Sequence, residues 1–412
     1  MPARGAWRTG RAFRESRPPS SMKLKRLPED FQVEELCTVS PSLQGRFTLY
    51  RLTKRGLGTL EAVEAIARRW NVASRRISFG GLKDRHAVTV QYLTILEGPP
   101  RPVSQSNVEL EPLGYLAHPY GPQHFRGNRF RLVMRDLDRE SADLAVARLE
   151  SVCRDGLPNY FDDQRFGSVG HSGQFIAQAW LAGDHERALR LALAEPNPFD
   201  RSGLKAQKAI LRQWWSHWAE AKAHMERSSA RSIVTYLVDH PTDYRGAFAR
   251  LKRELRSLYF SAFQSHLWNL ILSGWIERII PGENRTMVDL KVARLAFPHG
   301  LQPAERALLH ATALPLPSAR SPLPEGTLAA LILEVLEPFG LSWKALRVKH
   351  QKDVFLSKGT RAAMIIPANL SFTQRDDQLH PGRLALELAF ELGKGSYATI
   401  LVKRITQREG LP

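Results

Sequence analysis

The chain has 412 residues, enough for two domains, and 43% of them are hydrophobic, as in an ordinary globular protein. Its formal net charge of +18 favours an anionic partner, such as nucleic acid or a membrane surface. Two cysteines, Cys37 and Cys153, exclude a disulfide framework and a cysteine-based zinc site, and they fit a reducing cytosol. The longest apolar runs, 267–276 and 328–336, are too short to span a bilayer. No signal-peptide pattern is seen, so we expect a cytoplasmic protein with no membrane partner.

The first residues differ in composition from the rest. Residues 1–21 carry five arginines and one acid without an apolar period, which predicts a disordered basic extension over 1–22. Three interpretations remain open: an arm that binds RNA phosphates, an organelle transit peptide, or a start codon assigned upstream of the true start. We favour the last, with Met22 as the start.

The first ordered elements alternate between strand and helix patterns. Phe31 and Val33 alternate with polar residues after Pro28, which favours an extended backbone, and this predicts an edge strand. A second strand is predicted from 47 to 53, and an amphipathic helix from 59 to 70. The turn between them, G-L-G-T-L-E, lacks the third glycine of a dinucleotide loop, and the next strand offers no acid for a ribose. A dinucleotide site is therefore excluded.

The run F-G-G-L-K-D-R-H-A-V-T-V-Q places the Asp84 carboxylate between Lys83 and the pair Arg85 and His86. Its two glycines predict a sharp turn or the close approach of another segment. The alternation that follows predicts a half-buried strand from 88 to 96. The charged cluster is therefore predicted at the tip of a turn that feeds a strand. Without further information, a solvated hairpin turn is the simplest interpretation.

The centre of the chain is predicted to be mostly helical. A strand begins with G-N-R-F-R-L at Gly127, a helix spans 141–154, and the text is largely helical from 175 to about 343. The stretch 205–231 is rich in basic residues and fits an RNA-facing stripe or a solvated helix face. Tryptophans within it fit a stacking platform for bases, although buried packing is favoured. A proline-rich tract, 314–324, is predicted to be a surface linker.

The predicted strands together indicate the fold class. Residues 384–392 alternate cleanly and predict a strand near the carboxyl end. We therefore expect an α+β protein with a mixed or antiparallel sheet formed from both termini, plus a largely helical insertion. The expected domains are 23–156 with 367–412, and 157–366, with an RNA-binding cleft between them.

Seven segments resemble, in the same order, the TruD family of pseudouridine synthases. The two longest are G-G-L-K-D-R-H-A-V-T-V-Q and N-Y-F-D-D-Q-R-F-G. The chain departs from the family pattern at Asp162, where a glycine is usual, and at Gly393, where a proline is usual. If that glycine takes a positive φ, Asp162 is tolerated at a cost. The segments are Lys25–Glu35, Gly80–Gln91, Gly127–Leu132, Asn159–Gly167, Tyr259–Asn269, Lys358–Pro367 and Gly393–Thr399.

The resemblance assigns roles to individual residues. It implies that Asp84 is the catalytic nucleophile, and Lys25 is our candidate for the cation beside it, with Lys83 and Arg85 as alternatives. Three aromatic residues would receive the flipped uridine, and an amide would meet the edge of the base. The expected pocket has the Asp84 carboxylate at its floor, and no metal ligand is implied. The substrate-binding residues implied are Phe31, Asn128, Phe130, Tyr397, Lys83, Arg85, His86 and Arg165.

The reaction that the resemblance implies is the isomerisation of a uridine to pseudouridine in tRNA, with uridine 13 as the usual target of the family. No group is lost and no redox change occurs, so no cofactor is expected. The expected partner is tRNA, with no obligate protein partner and a monomeric state. The alternative is a catalytically silent RNA-binding relative that uses the same cleft as an RNA chaperone, against which the intact Asp84 motif argues.

Overall fold

The structure is a computed structural model and describes residues 23–24 and 26–407. The chain divides into two compact units. One is formed by Pro158–Ile365, and the other by the chain on either side of it, up to Leu157 and from Ile366 onward. The predicted extension over 1–22 and the candidate cation Lys25 lie outside the described residues.

The amino-terminal part of the second unit supplies most of its sheet. The helix predicted over 59–70 and the strand predicted over 88–96 are confirmed, and the strand from 47 and the helix near 141 extend slightly beyond their predicted ends. In chain order the elements are β1 (Lys23–Leu24), β2 (Phe31–Cys37), β3 (Phe47–Arg55), α1 (Thr59–Trp70), β4 (Ile77–Phe79), β5 (Val88–Leu96), β6 (Val103–Gln105), β7 (Val108–Leu116), β8 (Phe125–Leu137) and α2 (Arg139–Asp155).

The intervening part of the chain is mostly helical, as predicted, with short two-stranded ladders. Its elements are β9 (Leu157–Pro158), α3 (Ile176–Leu181), α4 (His185–Leu193), α5 (Ser202–Gln213), α6 (Trp218–His224), α7 (Ser229–Asp239), α8 (Tyr244–Ala249), α9 (Arg253–Ile279), β10 (Arg285–Asp289), β11 (Arg294–Pro298), α10 (Pro303–Ala311), β12 (Ala313–Pro315), α11 (Gly326–Leu336), β13 (Thr360–Ala362) and β14 (Met364–Ile365).

The carboxyl-terminal segment completes the sheet. It contains β15 (Ala368–Asp376), β16 (Leu384–Gly393) and α12 (Ala398–Thr406). The strand order is β15-β16-β8-β2-β5-β3-β7-β6, with β1 paired to β8 and β4 paired to β5. The sheet is mixed, because β2 and β5 run parallel while its other described pairings are antiparallel. A sheet built from both ends of the chain is thus confirmed.

The strand β2 lies in the interior of this sheet, so the prediction of an edge strand is wrong. Val33 faces Phe130 of β8 on one side and Thr89 of β5 on the other. Both partners are distant in sequence, and the local alternation of Phe31 and Val33 with polar residues does not reveal them. The polar residues belong to the other face of the strand.

Helices pack against the sheet at two places. The apolar side of α1, with Val63 and Ile66, packs against Tyr50, Leu52 and Leu93 in one buried cluster. At the other end, α2 packs against α12 and β16. In the strand order, β8 and β2 lie between the strands that these helices contact, which are β16 on one side and β5 with β3 on the other.

The long helix α9 organises the helical unit. It is buried almost all round, and its buried polar side chains hold nearby loops. Gln264 Nε2 donates to the carbonyl oxygens of Pro317 (3.0 Å) and Ser357 (2.7 Å). Asn269 bonds both the N–H and the C=O of Phe161. The proline-rich tract is therefore anchored to α9 at Pro317, and the prediction of a surface linker is wrong for that part.

Two further sequence expectations are settled locally. Asp162 has φ −83° and accepts from Gln164 N, so the premise of a positive φ does not apply at this position. Trp218 is 4% exposed and Trp215 Nε1 donates to Glu186 over 2.8 Å, which supports packing over a base-stacking platform.

Among the described residues, no helix is long and apolar enough to cross a membrane. In the same part of the chain, no cluster of three or more His, Cys, Asp or Glu could hold a metal ion.

Candidate active site

The loop between β4 and β5, residues 80–87, carries Asp84 and is held close to its surroundings. A Cβ atom at Gly80 would lie 2.8 Å from the ring of Phe125 and 3.1 Å from that of Tyr120, so glycine is needed for this approach. At Gly81 nothing lies within 4 Å of such an atom. The first of the two glycines is therefore the one that allows the close packing predicted from the sequence.

Hydrogen bonds from the sheet and from α1 fasten this loop. The backbone N–H of Lys83 donates to Thr59 Oγ1 over 2.9 Å, and Thr59 in turn donates to Gln91 Oε1 over 2.8 Å. Gln91 Nε2 donates to the carbonyl oxygen of Gly81 over 3.4 Å. A loop with bonds at several positions along it holds its side chains firmly, unlike a solvated turn.

Asp84 itself is held through its backbone and its carboxylate. Its carbonyl oxygen accepts a hydrogen bond from Lys54 Nζ over 2.8 Å. Its Oδ1 accepts from the backbone N–H of His86 over 3.0 Å, which orients the carboxylate. The neighbours on the carboxyl side are exposed, and Arg85 forms an ion pair with Glu61 over 3.1 Å.

Lys54 was not identified from the sequence, although it is the cation bonded to the Asp84 backbone. Lys54 is 1% exposed, and its Nζ also donates a hydrogen bond to the carbonyl oxygen of Leu57 over 2.6 Å. Burial lowers the pKa of Lys54 to about 8, although the nearby Asp84 charge opposes that shift. The sequence contained a signal for a buried lysine, because Lys54 lies at alternate positions with Tyr50 and Leu52, on the same buried side of β3. A lysine at a buried strand position is unusual and points to a specific role.

A second buried charge, Lys83, belongs to the loop itself. Lys83 Nζ forms an ion pair with Glu35 over 2.9 Å and donates to Asn128 Oδ1 over 2.8 Å. It also lies 4.9 Å from the centre of the Phe125 ring, a cation–π contact. The Glu35 side chain is fully buried and Lys83 is only 9% exposed. Glu35 was also missed, and like Lys54 it occupies a buried strand position.

The Glu35 carboxylate has further partners. Its Oε2 accepts from the backbone N–H of Tyr92 over 3.2 Å and from Tyr120 Oη over 3.3 Å. Burial first, and the charge of Glu35 second, raise the pKa of the Tyr120 hydroxyl well above its ordinary value. Tyr120 therefore stays protonated and remains a donor to Glu35 across the physiological pH range.

The sheet register connects these groups to the predicted aromatic residues. Directly opposed residues across neighbouring strands point to the same face. One such row runs across five strands through Lys54, Thr89, Val33, Phe130 and Phe390. The row therefore starts at the lysine that bonds Asp84 and ends among aromatic side chains.

An adjacent row contains the predicted amide. Glu35 opposes Asn128, which opposes Leu392 on β16. Asn128 is two residues from Phe130 on β8, so both side chains lie on the same face. The register thus places the predicted Asn128 and Phe130 beside the buried Lys83–Glu35 pair.

The aromatic residues form a continuous contact. Phe31 and Phe130 meet edge to face with ring centres 6.4 Å apart, and Phe130 stacks on Phe390 at 5.3 Å. Phe31 and Phe130 are 4% and 7% exposed, so only a small part of each ring faces outward. Phe390 was not predicted as a site residue, because its leucine-rich strand is typical of an ordinary core.

Tyr397 and Arg165 are the remaining predicted residues. Tyr397 is half-buried at the start of α12, five residues after Leu392, the cross-strand partner of Asn128. Arg165 belongs to the helical unit, where its Nε donates to Ser265 Oγ over 3.2 Å. Direct contacts join Lys83 to Asn128 and Phe31 to Phe130, and Asp84 follows Lys83 in the loop. The closed pocket that would include Tyr397 stays a prediction.

The Asp84 loop and its neighbours combine groups that can bind and attack a nucleotide. A carboxylate is held on a loop, an amide is fixed two residues from an aromatic ring, and two buried lysines lie nearby, Lys54 on β3 and Lys83 in the loop itself. Such a site can bind a planar, hydrogen-bonding base next to an oxygen nucleophile. The Lys54 charge interacts with Asp84, whereas the Lys83 charge is paired with Glu35.

Comparison with known proteins agrees with these features. The family model described as tRNA pseudouridine synthase D (TruD) matches residues 10–405. A Methanococcus maripaludis protein named "Probable tRNA pseudouridine synthase D 1" is 30% identical over 399 residues, which cover 93% of this chain and 99% of the relative. The tRNA pseudouridine synthase D of Leptospira interrogans (serovar Lai) is 28% identical over 403 residues, covering 93% and 96% of the two chains.

A solved structure supports the fold. A crystal structure described as TruD from Methanosarcina mazei has a TM-score of 0.73 to this chain at 24% identity. It covers 94% of this chain and 93% of its own. The predicted fold class, an α+β catalytic sheet with a helical insertion, is confirmed by this likeness.

Proposed function

This chain belongs to the tRNA pseudouridine synthase D (TruD) family and is an isomerase of uridine in tRNA, and we propose that Asp84 is its nucleophile. One observation carries the proposal. The Asp84 loop is fixed to Lys54, Thr59 and Gln91, beside the Lys83–Asn128 contact. A nucleophile must be held within a fraction of an ångström of its reacting atom, and this loop has the bonds to do so.

The proposed reaction rearranges the uridine without adding or losing atoms. The bond from ribose C1′ to uracil N1 breaks, the base turns over, and a bond forms from C1′ to C5. The hydrogen on C5 leaves as a proton, and N1 gains a proton. Substrate and product have the same composition and oxidation state, so we expect no cofactor. The Asp84 carboxylate is the group that adds covalently to the nucleotide and is later released.

The other residues act by binding the target nucleotide. A uridine in folded RNA must leave its stack before it can reach a carboxylate on the protein. Phe31, Phe130 and Tyr397 supply aromatic surface for the base, and Asn128 supplies an amide to its edge. Lys25, outside the described residues, remains the proposed cation beside the Asp84 carboxylate, and Lys54 joins it as a second candidate. Arg85, His86 and Arg165 are proposed contacts to RNA.

The formal net charge of +18 supports tRNA as the partner. We propose uridine 13 as the target, because that is the usual target implied by the motif resemblance described above. Recognition through phosphates makes binding weaken as the salt concentration rises. We propose that the enzyme acts as a monomer without an obligate protein partner.

The experiment uses tRNA transcripts labelled with tritium at uridine C5. The unmodified protein is expected to release tritium, because the C5 hydrogen is lost when C5 binds to C1′. Asp84→Ala and Asp84→Asn are expected to release none above background. A matched control is Glu109→Gln, which alters an exposed carboxylate on β7 of the same unit and should leave the rate unchanged.

Mapping the product tests the target. Transcripts in which uridine 13 is replaced by cytidine are expected to lose the release. Release that persists in Asp84→Ala would reject Asp84 as the nucleophile. A protein that binds tRNA but never releases tritium would instead be a silent binding relative. Release unaffected by the replacement at position 13 would reject that target alone.

A further inference from the structure

The buried Glu35–Lys83 pair determines which end of the Asn128 amide is available to a substrate. We propose that Asn128 donates a hydrogen bond to the C4 carbonyl of the target uracil, and that Lys83 and Glu35 are positioning residues that hold its amide in this orientation. The inference rests on the proposed function and adds the basis on which the site selects uracil over cytosine.

The orientation of the amide follows from the chemistry of lysine. Lys83 Nζ lies 2.8 Å from the Asn128 side chain, within hydrogen-bond distance. An ammonium group has three donors and no acceptor, so the amide atom that it meets must be the carbonyl oxygen. The amide nitrogen of Asn128 therefore points the other way.

The ammonium group is itself fixed by a buried anion. Lys83 and Glu35 are 2.9 Å apart, with side chains 9% and 0% exposed. Glu35 is held in turn by the N–H of Tyr92 and the hydroxyl of Tyr120. Reversing the amide would place its NH2 group against the ammonium and leave both without an acceptor there. Losing a hydrogen bond to a buried charge is expensive, so the reversed orientation is strongly disfavoured.

The amide nitrogen is left available for a ligand. Asn128 is half-buried, and within the described part of the chain its side chain is hydrogen-bonded only through Oδ1 to Lys83. It lies on the sheet face of Phe130, beside the strand that leads to Tyr397. The two N–H bonds of the Asn128 amide therefore lie on the same face of the sheet as the aromatic residues.

A fixed donor distinguishes the two pyrimidines. Uracil has a carbonyl acceptor at C4, and cytosine has an amine donor at that position. An amide that donates forms a hydrogen bond with the uracil carbonyl. It forms none with the cytosine amine, because both groups are donors. If Asn128 could rotate freely, it would accept from cytosine as easily as it donates to uracil. The buried ion pair removes that freedom, and this gives it a role beyond stability.

The test measures base discrimination separately from turnover. All variants carry Asp84→Asn, so that binding is not followed by reaction. Affinities are measured for two tRNA transcripts that differ only in uridine or cytidine at the modified position. Lys83→Met is expected to lower the uridine-to-cytidine affinity ratio about tenfold, as for one hydrogen bond. Asn128→Asp should shift the ratio further toward cytidine, because a carboxylate only accepts.

Two controls keep the result specific. Arg85→Met removes the cation on the other side of Asp84, which pairs with Glu61 at the surface, and should lower both affinities equally. If Lys83→Met unfolds because Glu35 is left unpaired, the double variant Glu35→Gln/Lys83→Met removes both charges. The double variant is expected to show the same loss of discrimination while retaining its circular dichroism spectrum.

A second substrate series locates the carbonyl. Sulfur accepts hydrogen bonds weakly, so 4-thiouridine at the target should weaken binding and 2-thiouridine should not. The reverse would overturn the assignment to C4. An unchanged ratio in Lys83→Met and Asn128→Asp would overturn the whole inference, even if the unmodified protein forms pseudouridine. Absence of pseudouridine with the unmodified protein would instead reject the proposed function.

Discussion

The ammonium group of Lys54 donates a hydrogen bond to the backbone carbonyl oxygen of Asp84 over 2.8 Å. The two residues are thirty positions apart and come from different elements, β3 and the loop before β5. Lys54 is 1% exposed, so its charge is paired with the loop in a buried setting. A single buried side chain therefore both helps to hold the proposed nucleophile in position and places a positive charge near it.

The first prediction concerns pH. The pKa of Lys54 is about 8, so the side chain loses its proton as the pH rises through that value and Asp84 loses the adjacent positive charge. We expect the turnover number to fall several-fold, about threefold to tenfold, between pH 7 and pH 9. Lys54→Arg, which stays charged, should remove this fall. Lys54→Met should be slow at every pH. Single-turnover pseudouridine formation at a series of pH values measures this.

The pH dependence of the free energy of unfolding distinguishes this loss of activity from unfolding of the protein. Between about pH 8 and the ordinary lysine value of 10.5, the unfolded chain binds the Lys54 proton and the folded chain does not. The contribution of Lys54 to the free energy of unfolding therefore rises with pH in that window. Activity should fall where this contribution rises. A fall in activity that also occurs in Lys54→Met would assign the titration to another group.

The second prediction uses the paired glycines. Gly80→Ala places a Cβ atom 2.8 Å from the Phe125 ring and must displace the Asp84 loop. A shift of about 1 Å is expected to lower the turnover number by up to about 100-fold. Gly81→Ala is the matched control, because no atom lies within 4 Å of its new methyl group, and it should stay within about twofold of the parent. Equal rates in the two variants would show that the loop position does not limit catalysis.

The third prediction tests a buried charge network between distant segments. Arg135 on β8 lies 2.8 Å from Asp30 before β2 and 3.0 Å from Asp377 before β16. Arg135→Met leaves two buried carboxylates without their cation and should reduce the free energy of unfolding by about 3–5 kcal/mol. Urea denaturation followed by circular dichroism measures the loss.

Two controls define the cause of that loss. Arg46→Met removes an arginine whose ion pair with Glu97 is exposed on both sides, 75% and 64%, and should cost less than about 1 kcal/mol. Replacing both acids by asparagine in the Arg135→Met background should restore part of the stability. If it restores none, packing of the arginine stem, and not its charge, accounts for the effect.

The fourth prediction concerns acid stability. His266 of α9 is buried against Phe175, with ring centres 4.6 Å apart. Burial lowers its pKa from 6.5 to about 3. The unfolded chain therefore binds one more proton between those values, and stability is lost as the pH falls below 6.5. His266→Leu should remove about 1.4 kcal/mol of that loss per pH unit.

Thermal unfolding between pH 7 and pH 4.5 checks this expectation. The melting temperature of His266→Leu should fall less steeply with decreasing pH than that of the unmodified protein. His240→Gln, which changes an exposed histidine of the same unit, should follow the unmodified protein. Parallel curves for all three proteins would mean that His266 does not titrate during acid unfolding.

Local patterns in the sequence were sufficient for several elements. The helix at 59–70 and the strands at 88–96 and 384–392 follow from side-chain periodicity, which depends only on neighbours within a turn or a strand. The motif around Asp84 is contiguous, so its charged residues and its glycines could be recognised together. The fold class followed from the same patterns and from the order of the segments.

The buried charges required the tertiary structure. Lys54 and Glu35 each lie on the buried side of a strand. The sequence alone does not show whether a charged residue at such a position interrupts the strand or forms a bond with a distant segment. Their partners, Asp84 and Lys83, come from a loop that only the sheet register brings near. The interior position of β2 was missed for the same reason, because its neighbours come from distant parts of the chain.

The sequence by itself therefore determined which loop is proposed to carry the chemistry, since the Asp84 motif and its strand are encoded by adjacent residues. The tertiary structure alone decided what holds that loop and how the Asn128 amide is turned. Both depend on hydrogen bonds between strands that are far apart in the chain. The energy of a buried charge depends on its three-dimensional partners, which no local pattern of residues specifies.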